Sequence, residues 1–352
     1  MSNTKIKRTE ISQYGEFGLI DHLTKNFDLR QPSSLKGVGD DAAVLSYNQK
    51  KTLATTDLLL EGIHFDLIYT PLRHLGYKAA IVNFSDIYAM NGTPTQLLVS
   101  LGVSKRFGVE DLEDFYSGIR LACDEYNVDL VGGDTSASLT GLTISITCLG
   151  IVDPERVVYR NGAKANDLIC VSGDLGAAYM GLQLLEREKH VFQQASGIQP
   201  DFAGKEYLLE RQLKPEARKD IVELLQNKDI LPTSMIDVSD GLSSELIHLC
   251  KQSQCGCRIY EENIPIDYQT ALQAEEMHMN LTTTALNGGE DYELLFTVPL
   301  SFHEQVKDIE GIRIIGHMCD ASLGMRLISR DGNELDLKAQ GWNAFEDSSS
   351  NA

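Results

Sequence analysis

The spacing of apolar residues in the first half of the chain predicts a mixture of helices and strands. Phe17, Ile20, Leu23 and Phe27 recur at the interval that places side chains on one face of a helix. Short apolar runs bounded by turn-forming residues are typical of strands. The first half is thus predicted to contain helices over 16–27, 72–90 and 109–126 and strands over 42–47, 51–60, 95–103, 128–133 and 142–152.

The same kind of pattern begins again after the segment "DPERVVYRNGAKAND". The weakly patterned stretch 189–206 predicts a long loop, and the polar tail "EDSSSNA" predicts disorder. The remaining periodicity predicts strands over 167–173, 233–239, 257–262, 291–298 and 311–318 and helices over 174–188, 215–227, 241–252 and 267–279.

Chain length favours two domains, because 352 residues exceed what one hydrophobic core usually serves. We place the boundary near 152–160. This choice gives an N-terminal domain over 1–153, a C-terminal domain over 154–346 and a disordered tail over 347–352.

Charge and apolar content exclude several classes of protein. With 31 basic and 51 acidic residues the net charge is −20, which disfavours binding to nucleic acid or to an anionic membrane. The start "MSNTKIKRTE" lacks the apolar segment of a signal peptide, and the apolar stretch 142–152 is too short to span a bilayer. Of the seven cysteines only Cys250, Cys255 and Cys257 cluster, without the partners that a zinc site needs. We therefore expect a cytoplasmic protein with reduced, buried thiols.

Several acidic residues border glycine or a small hydroxyl residue, and most of them follow an apolar strand. In "GVGDDAAVL" (37–45), Asp40 and Asp41 stand between glycines and an apolar run, which for one such pair indicates an ordinary turn. The arrangement recurs, however, and turns alone have no preference for acids over Asn, Ser or Gly. We expect these residues to lie in ligand-binding loops, since strand ends are where ligands commonly bind. The recurring acids are Asp57, Asp86, Asp134, Asp237, Asp240, Glu290 and Asp291.

Carboxylates brought together in this way need a cation, because like charges in close contact repel. The motifs have few lysines or arginines near them, and all-oxygen ligands favour Mg²⁺, which usually bridges to phosphates. Glycines in "VGGDTS" and "SGDLGAAYMG" allow backbone N–H groups to approach a phosphate closely. The chain has neither a G-x-x-x-x-G-K-[ST] loop nor the H-R-D and D-F-G motifs of protein kinases. The sequence therefore predicts a magnesium–nucleotide site in which metals neutralise most of the phosphate charge.

Seven motifs resemble the thiamine-monophosphate kinase family, which belongs to the aminoimidazole ribonucleotide synthetase-like superfamily. The resemblance covers about residues 12–345, and the motifs are, in order, "GVGDDAAV", "TTDLLLEGIHF", "NFSDIYAMNG", "LVGGDTS", "YRNGAKAND", "IDVSDGL" and "NGGEDYEL". The resemblance implies an N-terminal α+β domain whose sheet pairs with that of a second subunit in a homodimer. It also implies a C-terminal α/β domain and an active site in the cleft between the domains.

The resemblance further implies the roles of individual residues. The implied metal ligands are Asp40, Thr55, Thr56, Asp57, Asp86, Asp134, Asp237 and Asp240. ATP contacts come from Gly133, Asp134, Arg160 and Ser239, and a looser motif makes Tyr116 a neighbour of the nucleotide. Contacts to thiamine phosphate come from His64, Glu290 and Trp342.

The implied reaction is direct phosphoryl transfer from Mg-ATP to thiamine phosphate, giving thiamine diphosphate and ADP. The second pKa of a phosphate monoester is about 6, so the attacking oxygen is already anionic at neutral pH and a general base is unnecessary. We accordingly expect no catalytic side chain and only positioning and metal catalysis. His64 is then a substrate contact.

The sequence departs from the family pattern in three places. Tyr88 and Asn91 stand where alanines are usual, Glu245 stands where Asp is common, and 189–206 is longer than usual. Three other functions stay open: a different synthetase of the superfamily, a two-metal phosphohydrolase and a non-catalytic nucleotide sensor. No cysteine precedes Cys123, which argues against selenophosphate synthesis, and the ending "SSSNA" argues against hydrogenase maturation.

Overall fold

The computed structural model describes residues 34–36, 40–41, 43–47, 49–194 and 202–340. The predicted helix over 16–27, Trp342 and the predicted disordered tail lie outside the described residues.

The first half of the chain forms a six-stranded sheet in the order β1-β2-β3-β6-β4-β5. Neighbouring strands are antiparallel except β4 and β5, which are parallel. Buried and partly exposed residues alternate along β6, so one face of the sheet packs against the core. The strands are β1 (Ser34–Lys36), β2 (Ala43–Tyr47), β3 (Lys50–Leu60), β4 (Thr93–Val103), β5 (Asp129–Ala137) and β6 (Leu142–Val152).

The helix α1 (Leu72–Ala89) packs against this sheet, and the helix α2 (Val109–Tyr126) packs against α1. Nearly all of α1 from Leu75 onward is buried, because it packs against the sheet, against α2 and against elements of the second domain. Enclosure on all sides explains why α1 has no clear polar face.

The second half forms a seven-stranded sheet in the order β13-β12-β9-β11-β7-β10-β8. It is antiparallel except where β12 pairs with β9. Its strands are β7 (Leu168–Ser172), β8 (Ser234–Asp237), β9 (Cys255–Tyr260), β10 (Leu294–Val298), β11 (Ile312–Asp320), β12 (Met325–Ile328) and β13 (Glu334–Asp336). Its helices are α3 (Ala177–Gln194), α4 (Glu206–Leu213), α5 (Lys219–Asn227), α6 (Leu242–Ser253), α7 (Tyr268–Glu276), α8 (Leu281–Asn287) and α9 (His303–Val306).

This architecture confirms the predicted two-part α+β and α/β fold. The domain boundary at residue 153 stays a proposal; β6 ends at Val152 and β7 begins at Leu168. Among the described residues, no helix combines the length and apolar character that a bilayer span requires. The seven cysteines are free, with Cys255 partly exposed and the other six buried.

Several elements differ from the sequence prediction. The helix α3 runs into the predicted loop 189–206, and the predicted helix over 215–227 begins only at Lys219. The helix α8 was not predicted, because its Thr-rich sequence has low helix propensity. It forms because the side chain of Asn280 accepts a hydrogen bond from the backbone N–H of Thr283 and because its apolar residues are buried. The helix α4 and the short strands β1, β12 and β13 also escaped prediction.

The unusual residues after the α1 motif have structural partners. Tyr88 is buried, with its ring centroid 6.1 Å from that of Tyr126. Asn91 adopts a positive φ of 59° and its amide donates to the backbone oxygen of Arg156 at 2.7 Å. These contacts accommodate both departures from the family pattern within the packing between the domains.

The crossing of α1 and α2 depends on glycine. A Cβ added at Gly118 would lie 1.9 Å from the backbone oxygen of Arg73, so the helices would have to separate. We expect Gly118→Ala to lower the free energy of unfolding by about 2 kcal/mol, since overpacking costs about 1–3 kcal/mol. Chemical denaturation measures this, with Glu113→Ala on the exposed side of the same helix as the control. Equal stability of the two variants would contradict the close crossing.

Candidate active site

A cleft of about 890 Å³ lies between the two halves of the chain and is lined by residues from both. The N-terminal half contributes β3, the loop after it and one face of α1. The C-terminal half contributes α3 and the loops around residues 239 and 289. Nine of the residues implied by the family motifs line this cleft: Thr56, Asp57, His64, Asp86, Arg160, Asp237, Ser239, Asp240 and Glu290.

Three carboxylates meet at one end of the cleft. Oxygen atoms of Asp41, Asp86 and Asp237 all lie within 4.8 Å of one another. Asp86 projects from α1 and Asp237 ends β8, so the cluster joins the two domains. The hydroxyl of Ser85 donates to Asp237 at 2.6 Å, and the hydroxyl of Thr55 donates to Asp86.

The surroundings of Asp57, Asp86 and Asp237 oppose ionisation. Burial and the nearby charge of Asp41 together raise the pKa of Asp237 to about 8. Burial likewise raises the pKa of Asp57 to about 6, and burial and the charges of Asp57 and Asp237 raise that of Asp86 well above its usual value. The Oδ2 atom of Asp57 is buried without a hydrogen-bond partner. The cluster therefore has oxygen ligands in place but too little positive charge to balance them.

Arg160 is the cation closest to the cluster. Its guanidinium contacts both oxygens of Asp41, and its backbone N–H donates to Asp40 Oδ1 at 2.9 Å. Asp40 also forms an ion pair with Lys36 at 3.1 Å. The adjacent acids thus have different surroundings, with Asp41 in the cluster and Asp40 beside it.

Asp41 was missing from the implied metal ligands, although it is one of the three clustered acids. The sequence held one signal for it, the doubled acid in "GVGDDAAVL". In the structure the two residues lie in a bend, and both carboxylates contact Arg160. The sequence alone does not say which of the two faces the cleft.

The loop after β8 brings Ser239 and Asp240 to the same region. Gly241 adopts a φ of 116° and precedes the first residue of α6. The backbone N–H of Asp240 donates to Glu245 Oε1 at 2.8 Å. Glu245 is buried in the first turn of α6, so the glutamate that replaces the usual aspartate serves to hold this loop.

His64 and Glu290 line another part of the cleft. The backbone N–H of Leu60 donates to Nδ1 of His64 at 3.0 Å, which leaves Nε2 to carry the proton of the neutral ring. Burial lowers the pKa of His64, while the charge of Glu290 opposes this effect. At neutral pH, His64 therefore presents an N–H donor and no charge.

Each carboxylate oxygen of Glu290 has one partner. The ammonium group of Lys78 lies 3.1 Å from Oε1, and the amide of Gln212 donates to Oε2 at 2.8 Å. Glu290 itself has a positive φ of 58°, and its backbone N–H donates to the backbone oxygen of Ser239 at 2.7 Å. The loop that holds Glu290 is thus joined to the loop after β8.

Gly133, Asp134 and Tyr116 do not line the cleft. Across the sheet, Asp57 on β3 pairs with Ile146 on β6, which pairs with Val99 on β4. Val99 in turn pairs with Gly133 on β5, so Gly133 lies three strand intervals, or roughly 14 Å, from Asp57. Asp134, the next residue, faces the opposite side of the sheet from Asp57. Every residue of β5 is exposed, and Tyr116 forms a hydrogen bond with Thr135 of that strand. These residues therefore form a separate group at the edge of the sheet.

Comparison with known proteins places this architecture in a family. Residues 39–152 match the family described as AIR synthase related protein, N-terminal domain. The thiamine-monophosphate kinase of Aquifex aeolicus (strain VF5) is 37% identical over 289 residues, which cover 82% of this chain and 87% of that protein. The enzyme of the same name from Escherichia coli (strain K12) is 35% identical over 345 residues, with coverage of 94% and 98%.

A solved structure extends the likeness to the whole fold. The structure of AaThiL complexed with AMPPCP and TMP superposes with a TM-score of 0.81 at 33% identity and covers 96% of this chain and 99% of its own. The resemblance inferred from the motifs is confirmed. The chain belongs to the thiamine-monophosphate kinase family.

Proposed function

We propose that this chain transfers the γ-phosphoryl group of ATP to thiamine phosphate and releases thiamine diphosphate and ADP. The observation that carries the proposal is the meeting of Asp41, Asp86 and Asp237, from three separate segments, in a cleft shared by both domains. The similar AaThiL structure, which is complexed with AMPPCP and TMP, supports the choice of substrates.

We propose Mg²⁺ as the metal, in more than one copy. Buried carboxylates and hydroxyls are the oxygen ligands that Mg²⁺ prefers, and the unpartnered Oδ2 of Asp57 fits such a ligand. When bound, Mg²⁺ neutralises phosphate oxygens and orients the reacting groups. The residues proposed to hold it in the cleft are Asp40, Asp41, Thr55, Thr56, Asp57, Asp86, Asp237 and Asp240. Asp134, which belongs to the separate group on β5, is proposed to hold a different ion of the set.

The remaining cleft residues bind and orient the two substrates. Arg160 and Ser239 lie where they can contact nucleotide phosphates, and we assign Gly133, Asp134 and Tyr116 to the nucleotide as well. His64, with its Nε2–H group, and Glu290, with its carboxylate, contact thiamine phosphate. We keep Trp342 as a further substrate contact.

No residue acts as a general base in this mechanism. The acceptor phosphate is largely dianionic at neutral pH, since its second pKa is about 6. Holding two phosphates in line, despite their repulsion, is the work that remains for the protein. His64 contributes a hydrogen-bond donor to that alignment.

We also propose that the chain forms a homodimer through the N-terminal sheet. Among the described residues, β5 pairs with another strand on one side only, and Val131 on it is 56% exposed. An apolar, unpaired edge strand is a template for pairing with another chain. Pairing there would bring Gly133 and Asp134, which stand on β5, to the subunit interface. The free thiols and the composition favour a cytoplasmic location.

An assay with alternative acceptors tests the proposed reaction. We expect Mg-ATP and thiamine phosphate to yield equal amounts of thiamine diphosphate and ADP, and free thiamine to yield neither. Asp86→Asn should reduce kcat by about a hundredfold or more, because loss of one preorganised charged group typically costs this much. Asp124→Asn, an exposed acid on α2, is the control.

Three results of that assay would contradict the proposal. Release of ADP at the same rate without an acceptor would identify a phosphohydrolase. Binding of nucleotide without any turnover would identify a sensor. Turnover of free thiamine alone would identify a kinase with a different acceptor.

Light scattering after size-exclusion chromatography tests the dimer. We expect the native chain to have twice the mass of one subunit and Val131→Lys to have the mass of one, because a buried ammonium opposes strand pairing. The matched control is Leu300→Lys, at an equally exposed apolar residue of the second domain. A monomeric native chain, or a dimeric Val131→Lys variant, would contradict pairing along β5.

A further inference from the structure

The cleft-facing side of α1 connects the carboxylate cluster with the region around Glu290. Leu75, Lys78, Val82 and Asp86 line the cleft, and their spacing places them along one face of the helix. Lys78 and Asp86 are eight residues apart, which corresponds to roughly 12 Å along the helix axis. One helix thus presents an acid to the cluster and a lysine to the other part of the cleft.

Lys78 is an unusual residue for its position. It lies within a buried helix, its side chain is only 7% exposed, and lysine is almost never buried without a partner. Its ammonium group donates to the backbone oxygen of Gln212 at 2.9 Å and pairs with Glu290 at 3.1 Å. Both partners belong to the second domain, so the contact crosses the cleft.

The geometry leaves Glu290 ready for a ligand. Lys78 and Gln212 occupy one site on each carboxylate oxygen, and an ionised carboxylate has about four such sites. The side chain of Glu290 is still 33% exposed and lines the cleft. Its remaining sites can accept hydrogen bonds from an amino-substituted, cationic ring.

We propose that Lys78 is a positioning residue that determines acceptor affinity by holding the carboxylate of Glu290 in one orientation. The inference rests on the proposed function, because it takes the ring system of thiamine phosphate as the ligand of Glu290. The phosphate of that acceptor then points along α1 toward Asp86. Lys78 touches Glu290 and not the transferred phosphoryl group, so its loss changes acceptor binding and leaves ATP binding intact.

A double-mutant cycle tests this coupling, with kcat and both KM values measured for each variant. Lys78→Met should raise the KM for thiamine phosphate about tenfold to a hundredfold, the usual cost of losing a charge-assisted contact. The KM for ATP should change by less than about twofold. Glu290→Gln should have a similar effect, and the double variant should resemble the worse single variant because both changes remove one interaction.

Two further variants separate positioning from a structural role. Lys214→Met removes another lysine that pairs with a glutamate, Glu216, but does not line the cleft, and it should change neither KM. Lys78→Arg keeps the charge and should recover part of the acceptor affinity. If Lys78→Met does not fold, Lys78→Arg takes its place in the comparison of the two KM values.

The outcomes distinguish this inference from the proposed function. If the native enzyme neither binds nor phosphorylates thiamine phosphate, both are overturned. If it does, and Lys78→Met has native KM values or equal increases for both substrates, only the positioning role is overturned. Multiplying effects in the double variant, or a fall in kcat with an unchanged acceptor KM, would also overturn it.

Discussion

Repulsion between the closely spaced carboxylates of the cleft is the interaction that links the stability of the fold to ligand binding. Oxygen atoms of Asp41, Asp86 and Asp237 lie within 4.8 Å of one another, in a setting that raises the pKa of Asp86 and of Asp237. Such a cluster weakens the folded state on its own, because each charge is removed from water and placed beside another of the same sign. The fold tolerates the cluster because the rest of the structure is stable enough to hold it. Binding of a metal with a nucleotide relieves that cost, so folding and ligand binding are energetically linked.

The architecture serves to hold two chemically different regions at a set separation. The buried helix α1 carries Asp86 in the cluster and Lys78 beside Glu290, so its rigid rise relates the metal end of the cleft to the acceptor end. The helix α2 approaches it closely at two glycines, Gly118 and Gly76, and a Cβ added at Gly76 would lie 2.0 Å from the backbone oxygen of Phe115. The charge pattern follows the same division. Acids dominate where phosphates are proposed to meet metal, and His64, Lys78 and Glu290 form a mixed polar surface where rings are proposed to bind.

The sequence predicted the long elements and most of the cleft. Helix 72–90 and strand 142–152 were found within one residue, because their apolar runs are long and clearly bounded. The acids Asp57, Asp86, Asp237 and Asp240 were found because turns alone have no preference for acids. The expectation that they lie in loops was wrong for Asp57, which lies within β3, and for Asp86, which lies within α1. The short helix α8 was not predicted, since its stability comes from a cap and from tertiary packing.

Three other features could not be predicted from the sequence, each for a different reason. The choice between Asp40 and Asp41 depends on how the bend at these two residues orients each carboxylate. Lys78, a single lysine in an apolar helix, has meaning only once Glu290 lies across the cleft from it. The separation of Asp134 from Asp57 follows from strand order, which local patterns do not reveal.

Thermal unfolding of the native chain and of Asp237→Asn, with and without Mg²⁺ and a non-hydrolysable ATP analogue, tests the central claim most directly. For the native chain we predict a rise in Tm of at least about 3 °C with metal and nucleotide together, as expected for a ligand at a hundred times its Kd, and little change with either alone. Without ligands at pH 8, Asp237→Asn should be at least as stable as the native chain, because it removes one charge from the cluster, and its response to ligands should be lost. An equal rise with Mg²⁺ alone, or a less stable variant that still responds to metal and nucleotide, would contradict the account.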